Sequence, residues 1–312
     1  MLALTFPGQG SQAIGMGKEL ADSFPEAKAV FDEVDEALGQ NLSKLMWEGT
    51  QEELTLTANA QPALMAVSLA ALRAMEAKGF MVTQAAYVAG HSLGEYSALA
   101  AAHALSIADT AKLLRIRGDA MQAAVPVGIG AMAAIIGLDK PTVETICAEA
   151  TKGDNGCQIA NDNGGGQLVI SGHKEAVERA MEACKEAGAK RALPLPVSAP
   201  FHSTLMQPAA ERMAEALEAV DIKATIVPLV CNVLADPISH PDDIKKRLIE
   251  QVTGRVRWEE SVQYMHKEGV GRIWEIGAGK VLTGLARRID RDLQGAAIGK
   301  PDDIAPALES IA

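Results

Sequence analysis

Ala85-Ala86-Tyr87-Val88-Ala89-Gly90-His91-Ser92-Leu93-Gly94-Glu95-Tyr96-Ser97-Ala98-Leu99-Ala100-Ala101-Ala102-His103-Ala104 is the stretch on which the fold turns. Its first part, Ala85 to Gly90, is apolar and short enough for a buried strand, and Leu93 to Ala104 is an Ala-rich run with the composition of a closely packed helix. Between them stands G-x-S-x-G, Gly90 to Gly94. A strand that must turn sharply into a helix needs glycine on both sides of the turn, and the serine there is held out at the top of a sheet. Ser92 is therefore the candidate nucleophile, with the Leu93 N–H and the helix N-terminus facing any charge that forms on attack. The plain alternative is a strand-to-helix turn in which Ser92 only caps the helix.

The same strand-then-turn signature recurs upstream. Leu2 to Phe6 is an apolar run stopped by Pro7-Gly8-Gln9-Gly10, a strand emptying into a tight loop. Gly8 to Ala13 mimics the dinucleotide fingerprint G-x-G-x-x-A, but Lys18 to Leu38 reads as helical and acidic where a second strand should follow. The loop is better read as a source of backbone N–H groups at the carboxyl end of a strand. Asn59 to Met75 predicts a packed helix with Pro62 in its first turn, and Ser106 with Asp109 caps a helix from Ile107 to about Ala124. On that helix Arg117 shares the apolar face of Leu114 and Met121. A guanidinium there either pairs with a structural carboxylate or forms a fork for a substrate carboxylate.

From residue 125 the pattern changes. Strands are expected at Gly130–Leu138, Cys157–Asn161, Gln167–Ser171 and Arg191–Val197, with helices at Lys140–Ala150 and Lys174–Ala187. This β-α-β-β-α-β order is the ferredoxin-like arrangement. After it, Ser203–Val220 reads as a helix, Thr225–Cys231 as a strand, Asp242–Gln251 as a helix and Arg272–Ile276 as a strand. The expectation is an α/β protein: a large domain with a mainly parallel sheet from residues 1–124 and 199–312, carrying an inserted ferredoxin-like small domain, 125–198.

A serine nucleophile needs a base, and six histidines are available. His91 is too near in sequence to reach Ser92, while His103 and His173 lie in helical contexts. His202 sits in a loop between the last insert strand and a helix, the kind of position from which function is built. His240 and His266 stay open, and with Asp236 they would give the Ser, acid, His order of a serine esterase or thioesterase. A non-catalytic carrier-binding protein that keeps the fold is the other rival.

Composition narrows the partners. Across 312 residues, 29 Lys and Arg face 40 Asp and Glu, a net charge of -11 that disfavours nucleic acid and anionic membranes. An acidic protein partner would need a local basic patch. The four cysteines show no metal-ligand or disulfide spacing, and no apolar run approaches a membrane span or a secretion signal. A cytoplasmic protein without metal is expected.

Six motifs together carry a resemblance: F-P-G-Q-G-S-Q (Phe6 to Gln12), Q-P-A (Gln61 to Ala63), G-H-S-L-G-E-Y (Gly90 to Tyr96), R-G-x-x-M-Q (Arg117 to Gln122), F-H-S (Phe201 to Ser203) and G-x-G-K-V-L-T-G-L (Gly277 to Leu285). Over essentially the whole chain, in order, it resembles the malonyl-CoA:acyl carrier protein transacylase family of bacterial fatty acid synthesis. The resemblance implies a hydrolase-like large α/β domain and transfer of malonyl from malonyl-CoA to the phosphopantetheine thiol of acyl carrier protein by ping-pong kinetics. It implies Ser92 as nucleophile, His202 as base, the main-chain carbonyl of Gln251 as the group orienting the base, and the N–H groups of Gln9 and Leu93 as the oxyanion hole. Arg117 would bind the malonyl carboxylate, and Phe201 would disfavour a branched acyl group. No cofactor beyond the substrates malonyl-CoA and phosphopantetheinylated acyl carrier protein is implied, and a monomer is expected. Lys190, Arg191, Lys280, Arg287 and Arg288 are the candidate contacts to the acidic carrier.

Overall fold

Every residue of Leu2–Phe6 is buried, which is what an apolar run without alternation requires: a strand covered on both faces. A computed structural model describes residues 1–197 and 199–311 of the chain, so the expected boundary at residue 198 lies outside the described residues. In chain order the strands are β1 Leu2–Phe6, β2 Tyr87–Gly90, β3 Gly130–Ile136, β4 Cys157–Asp162, β5 Gln167–His173, β6 Arg191–Pro194, β7 Leu229–Val230, β8 Pro237–Ile238, β9 Val256–Arg257, β10 Arg272–Ile276 and β11 Gln294–Ile298.

The larger sheet has the order β11-β10-β1-β2-β7-β8 and is parallel except for β8, which turns back against β7. Because side chains alternate across a strand, its residues divide between two cores. Leu2, Leu4, Phe6, Val88, Leu229 and Trp274 pack into the main core, with the helices Pro25–Leu38, Thr57–Glu76, Ile107–Ala123 and Gln207–Glu218. Ala3, Ala89, Val230 and Ile273 face the other way, onto Trp258, Val262, Leu282 and Leu285. Helices on both faces make this the expected hydrolase-like α/β sandwich.

The smaller sheet has the order β6-β3-β5-β4, antiparallel throughout, with the helices Lys140–Ala150 and Lys174–Glu186 packed on one face around Ile135, Val143, Ile170 and Val177. The ferredoxin-like order expected from sequence is present. A fifth strand, β9, adds in parallel to β4 through Asn161–Val256 and Asp162–Arg257, and it comes from the chain well after the insert. At two residues it carries no periodicity that sequence could show.

Several local expectations are corrected. Lys18–Leu38 is two helices, Lys18–Ser23 and Pro25–Leu38, because Pro25 starts a new helix more readily than it continues one. Pro62 stands inside the helix Thr57–Glu76 rather than in its first turn. The helix expected from Ser203 begins as a 3-10 turn, Thr204–Met206, and becomes α-helical at Gln207. Only Leu229–Val230 of the expected strand Thr225–Cys231 joins the sheet; the backbone before it spends its N–H groups elsewhere, Lys223 on Ala104 O and Ile226 on Ala102 O. The strand β11 and the helix Pro301–Glu309 after it were not expected from sequence.

At the turn after β2, Ser92 adopts φ 54°. A Cβ on Gly90 would stand 1.9 Å from the Gly94 carbonyl carbon, and one on Gly94 would stand 2.2 Å from Phe6 O. Both contacts are with backbone, which cannot swing aside. Gly94→Ala is therefore expected to cost about 3 kcal/mol. A fall of roughly 4–6 °C in the thermal midpoint should follow. A midpoint unchanged from the parent would refute the packing argument.

Candidate active site

The elbow places Ser92 at the carboxyl end of the parallel sheet, where the helix Gly94–Ala101 starts. Its backbone N–H donates to Asn232 Oδ1 at 2.8 Å, and Asn232 Nδ2 donates to Gly90 O at 2.6 Å. One side chain from the end of β7 thus grips both ends of the strained turn, and this offsets part of the cost of a non-glycine residue at positive φ.

His202 reaches Ser92 Oγ with Nε2 at 2.8 Å. Its Nδ1 faces two carbonyl oxygens, Gln251 at 2.8 Å and Gly254 at 3.1 Å. Carbonyls only accept, so Nδ1 carries the proton and Nε2 is the lone-pair nitrogen that accepts from the serine hydroxyl. Gln251 lies in the last turn of the helix Pro241–Thr253, whose terminal carbonyls have no intrahelical partner and are available to a side chain. Gln158 of β4 ties the two loops together, donating to His202 O and Thr253 O, each at 3.1 Å. Burial, reinforced by the Arg117 charge, pushes the His202 imidazole down to about 3. The imidazole is neutral across the physiological range.

Arg117 is 1% exposed on the buried face of the helix Ile107–Ala123. Its Nη1 donates to Gln61 Oε1 at 2.8 Å, and its Nη2 donates to Gln251 Oε1 at 2.8 Å and to Ser92 Oγ at 3.1 Å. The guanidinium lies over the Tyr96 ring, 5.6 Å from its centroid. Among the described residues it makes no direct ion pair with a carboxylate; its hydrogen-bond partners are the two amides and the serine hydroxyl. A buried cation held by neutral amides beside a serine hydroxyl is a fork ready for an anionic substrate group.

Neither the Gln9 N–H nor the Leu93 N–H donates to a described residue. Both belong to loops that converge on Ser92; Gly8 lets them approach, since a Cβ there would lie 2.7 Å from His91 O. These residues line a cleft of about 450 Å³ between the two sheets, with Ser92, Arg117 and His202 on one wall and Met132, Val169 and Phe201 on the other. Phe201 packs against the Met132, Ala160 and Val169 cluster. Lys190, Arg191, Lys280, Arg287 and Arg288 are all exposed, and Val281 and Leu282, beside Lys280, line the cleft.

All seven residues singled out from sequence, Gln9, Ser92, Leu93, Arg117, Phe201, His202 and Gln251, line this cleft or bond directly to residues that do. The rival histidines are elsewhere. His240 is an exposed helix cap beside Asp242, and His266 bonds Val270 O and lies 3.3 Å from Asp290. Sequence reasoning missed Asn232, the amide of Gln61 and the carboxyl of Glu95. A polar residue directly after the apolar run Leu229–Cys231, at the carboxyl end of a strand, was the available signal for Asn232.

A family model described as "Acyl transferase domain" matches residues 4–268. The malonyl CoA-acyl carrier protein transacylase of Bacillus subtilis (strain 168) is 51% identical over 310 residues, 99% of this chain and 97% of the relative. That of Escherichia coli (strain K12) is 48% identical over 98% of each chain. The crystal structure of the acyl-carrier-protein-S-malonyltransferase from Bartonella henselae superposes with a TM-score of 0.97 at 57% identity, covering 99% of both chains. A malonyl-transacylase solved in complex with its type II PKS acyl-carrier protein gives a TM-score of 0.96 at 44% identity, again over 99% of both. With a strained G-x-S-x-G serine, a histidine on its oxygen and a buried arginine beside them, the chain belongs to the acyl transferase family and, within it, to the malonyl CoA-acyl carrier protein transacylases.

Proposed function

We propose that this enzyme transfers a malonyl group from malonyl-CoA to the phosphopantetheine thiol of acyl carrier protein, through a malonyl ester on Ser92, and so supplies fatty acid elongation. The observation that carries the reading is Arg117: a buried guanidinium 3.1 Å from the Ser92 hydroxyl, held by two neutral amides. A neutral acyl group would offer its charge no partner. Malonyl has a carboxylate two bonds beyond its reacting carbonyl carbon, within reach of that fork when the carbonyl sits at Ser92.

In the first half-reaction Ser92 Oγ attacks the thioester carbonyl while its proton passes to His202 Nε2. The new oxyanion is received by the N–H groups of Gln9 and Leu93. Collapse expels the coenzyme A thiolate, which takes the proton from His202. The carrier thiol then attacks the ester by the same path in reverse, giving ping-pong kinetics. The imidazolium formed in each half is steadied by the Gln251 and Gly254 carbonyls on Nδ1. Phe201 narrows the acyl end of the cleft against a branched substituent. Lys280, next to Val281 of the cleft, and Arg288, bonded to Gln167 of the cleft, are assigned to the acidic carrier together with Arg287, Lys190 and Arg191.

The chemistry as written calls on no resident cofactor, and we assign the enzyme to the cytoplasm as a monomer. The catalytic unit is assigned to residues 1–124 and 199–312 and the insert to 125–198, a division supported by the separate apolar cluster around Ile135 and Ile170.

Intact mass after brief mixing with malonyl-CoA tests the proposal. A malonyl adduct is expected on the wild type, absent from Ser92→Ala, and discharged on adding holo acyl carrier protein. An adduct cleared by water but not by the carrier would move the assignment to a thioesterase, and no adduct with no coenzyme A released would reject the substrate.

A further inference from the structure

Beneath the nucleophile lies a carboxylate that the mechanism does not use. Glu95, in the first turn of the helix Gly94–Ala101, is 1% exposed. Its Oε2 accepts from Gln251 Nε2 at 2.6 Å and from the Asn232 N–H at 3.3 Å. Its Oε1 has no hydrogen-bond partner among the described residues. The Gln251 amide links it to the acyl site, because Gln251 Oε1 takes the Arg117 Nη2 bond while Gln251 Nε2 faces Glu95. The order is cation, amide, carboxylate, all shut away from water.

We propose that Glu95 is the internal counter-charge of Arg117: at mildly alkaline pH it is ionised while the acyl site is empty, and it takes up one proton from solvent when a carboxylate-bearing acyl group pairs with Arg117. The proposal rests on the assignment of Arg117 to the malonyl carboxylate. With Glu95 ionised, the empty site is neutral. Bringing in a second carboxylate places two like charges around one guanidinium in a medium that screens poorly, and one of them is driven to protonate. The malonyl carboxylate is held directly by the fork, so the proton goes to the more remote Glu95, onto Oε1, since Oε2 is already taken by two donors.

The surroundings leave Glu95 poised for this. Burial raises its carboxyl to about 7, against the Gln251 and Asn232 N–H bonds and the Arg117 charge, which lower it. The other titratable neighbours do not change charge there. Tyr96, beside it on the same helix, and Cys231, after β7, are each pushed up to about 12 by burial. Arg247, from the helix that carries Gln251, is engaged with Glu250. Arg117 stays a cation despite burial, since a guanidinium does not give up its proton in proteins.

The proton balance makes the test direct. Malonyl-CoA and Ser92 give malonyl-serine and the coenzyme A thiol with no net proton change, and Glu95 then draws one proton from the buffer. Stopped-flow mixing with a pH indicator at about pH 8 should show uptake approaching one proton per malonyl adduct, and none per acetyl adduct from acetyl-CoA. Glu95→Gln should form the malonyl adduct without uptake. Above pH 7 the wild-type kcat/KM for malonyl-CoA should fall by up to about tenfold per pH unit relative to Glu95→Gln, because the proton needed becomes scarcer. Acetyl transfer should show no such divergence. A wild-type malonyl adduct formed with no more proton uptake than the acetyl control overturns the proposal, and that measurement does not depend on the variant folding. If Arg117→Ala leaves the malonyl-to-acetyl ratio unchanged, the fault lies in the Arg117 assignment; if no malonyl adduct forms, the transfer reading falls and this proposal with it.

Discussion

His202→Ala is expected to slow formation of the malonyl-Ser92 ester by about ten-thousand-fold, with coenzyme A release as the measure. His202 Nε2 is the acceptor 2.8 Å from Ser92 Oγ, and among the described residues no other histidine bonds that oxygen. Without it the hydroxyl must lose its proton to water, and the departing thiolate loses its acid; paired general base and acid roles are worth up to about 10⁴. The cleft, Arg117 and the Gln9 and Leu93 N–H groups survive the change, so the KM for malonyl-CoA should move little. A loss under about tenfold would remove His202 from the base role. The pH profile supplies an independent check. Burial lowers the imidazole, and the active form is the unprotonated one, so activity should persist as pH falls through the ordinary histidine range near 6.5. An acid limb centred there would contradict a buried, neutral His202.

Arg117→Ala is expected to cost malonyl transfer about 2–5 kcal/mol, or roughly 30-fold to several thousand-fold in kcat/KM. The loss has two sources: the carboxylate gives up its fork, and the cleft left behind is a poor solvent for it. Acetyl transfer should fall less, because the losses there are the bond from Nη2 to Ser92 Oγ and the contacts with the Gln61 and Gln251 amides, with no substrate carboxylate involved. The informative quantity is the ratio of the two rates, measured on the same preparation. Equal losses for malonyl and acetyl would reject the carboxylate role and leave Arg117 as a brace for Gln251 and Ser92. Arg117→Lys should recover part of the malonyl rate, since a point charge replaces the fork without its second donor.

Much of the molecule was legible because its signals are local. Leu2–Phe6 could be bounded from sequence since a strand buried on both faces reads as a nearly continuous apolar run, and Arg272–Ile276 showed through Ile273, Trp274 and Ile276 although it buries Glu275 among them. The elbow was legible because only glycine tolerates the backbone contacts at residues 90 and 94. The insert declared itself through helices and strands of ordinary length in ferredoxin-like order. What failed to show was short or indirect. The strand β9 has two residues, β11 is Gly- and Ala-rich, and the segment before Leu229 looked like a strand but bonds the end of a helix.

The site divides the same way. Sequence by itself singled out Ser92 as the candidate nucleophile, the strand-turn-helix that presents it, the arginine on an apolar helix face and the β-α-β-β-α-β run within the α/β chain, since each follows from residue type and spacing over a few turns of chain. Tertiary structure alone decided which of six histidines meets Ser92, because Ser92 and His202 stand 110 residues apart and only the closure of two loops brings them together. It alone decided that Arg117 has amides and not a carboxylate for neighbours, that Asn232 braces the elbow, and that Glu95 lies beneath it. Those facts concern partners drawn from distant segments. Local propensity has no information about them, because the free energy that selects them comes from burying polar groups that must each find a mate in three dimensions.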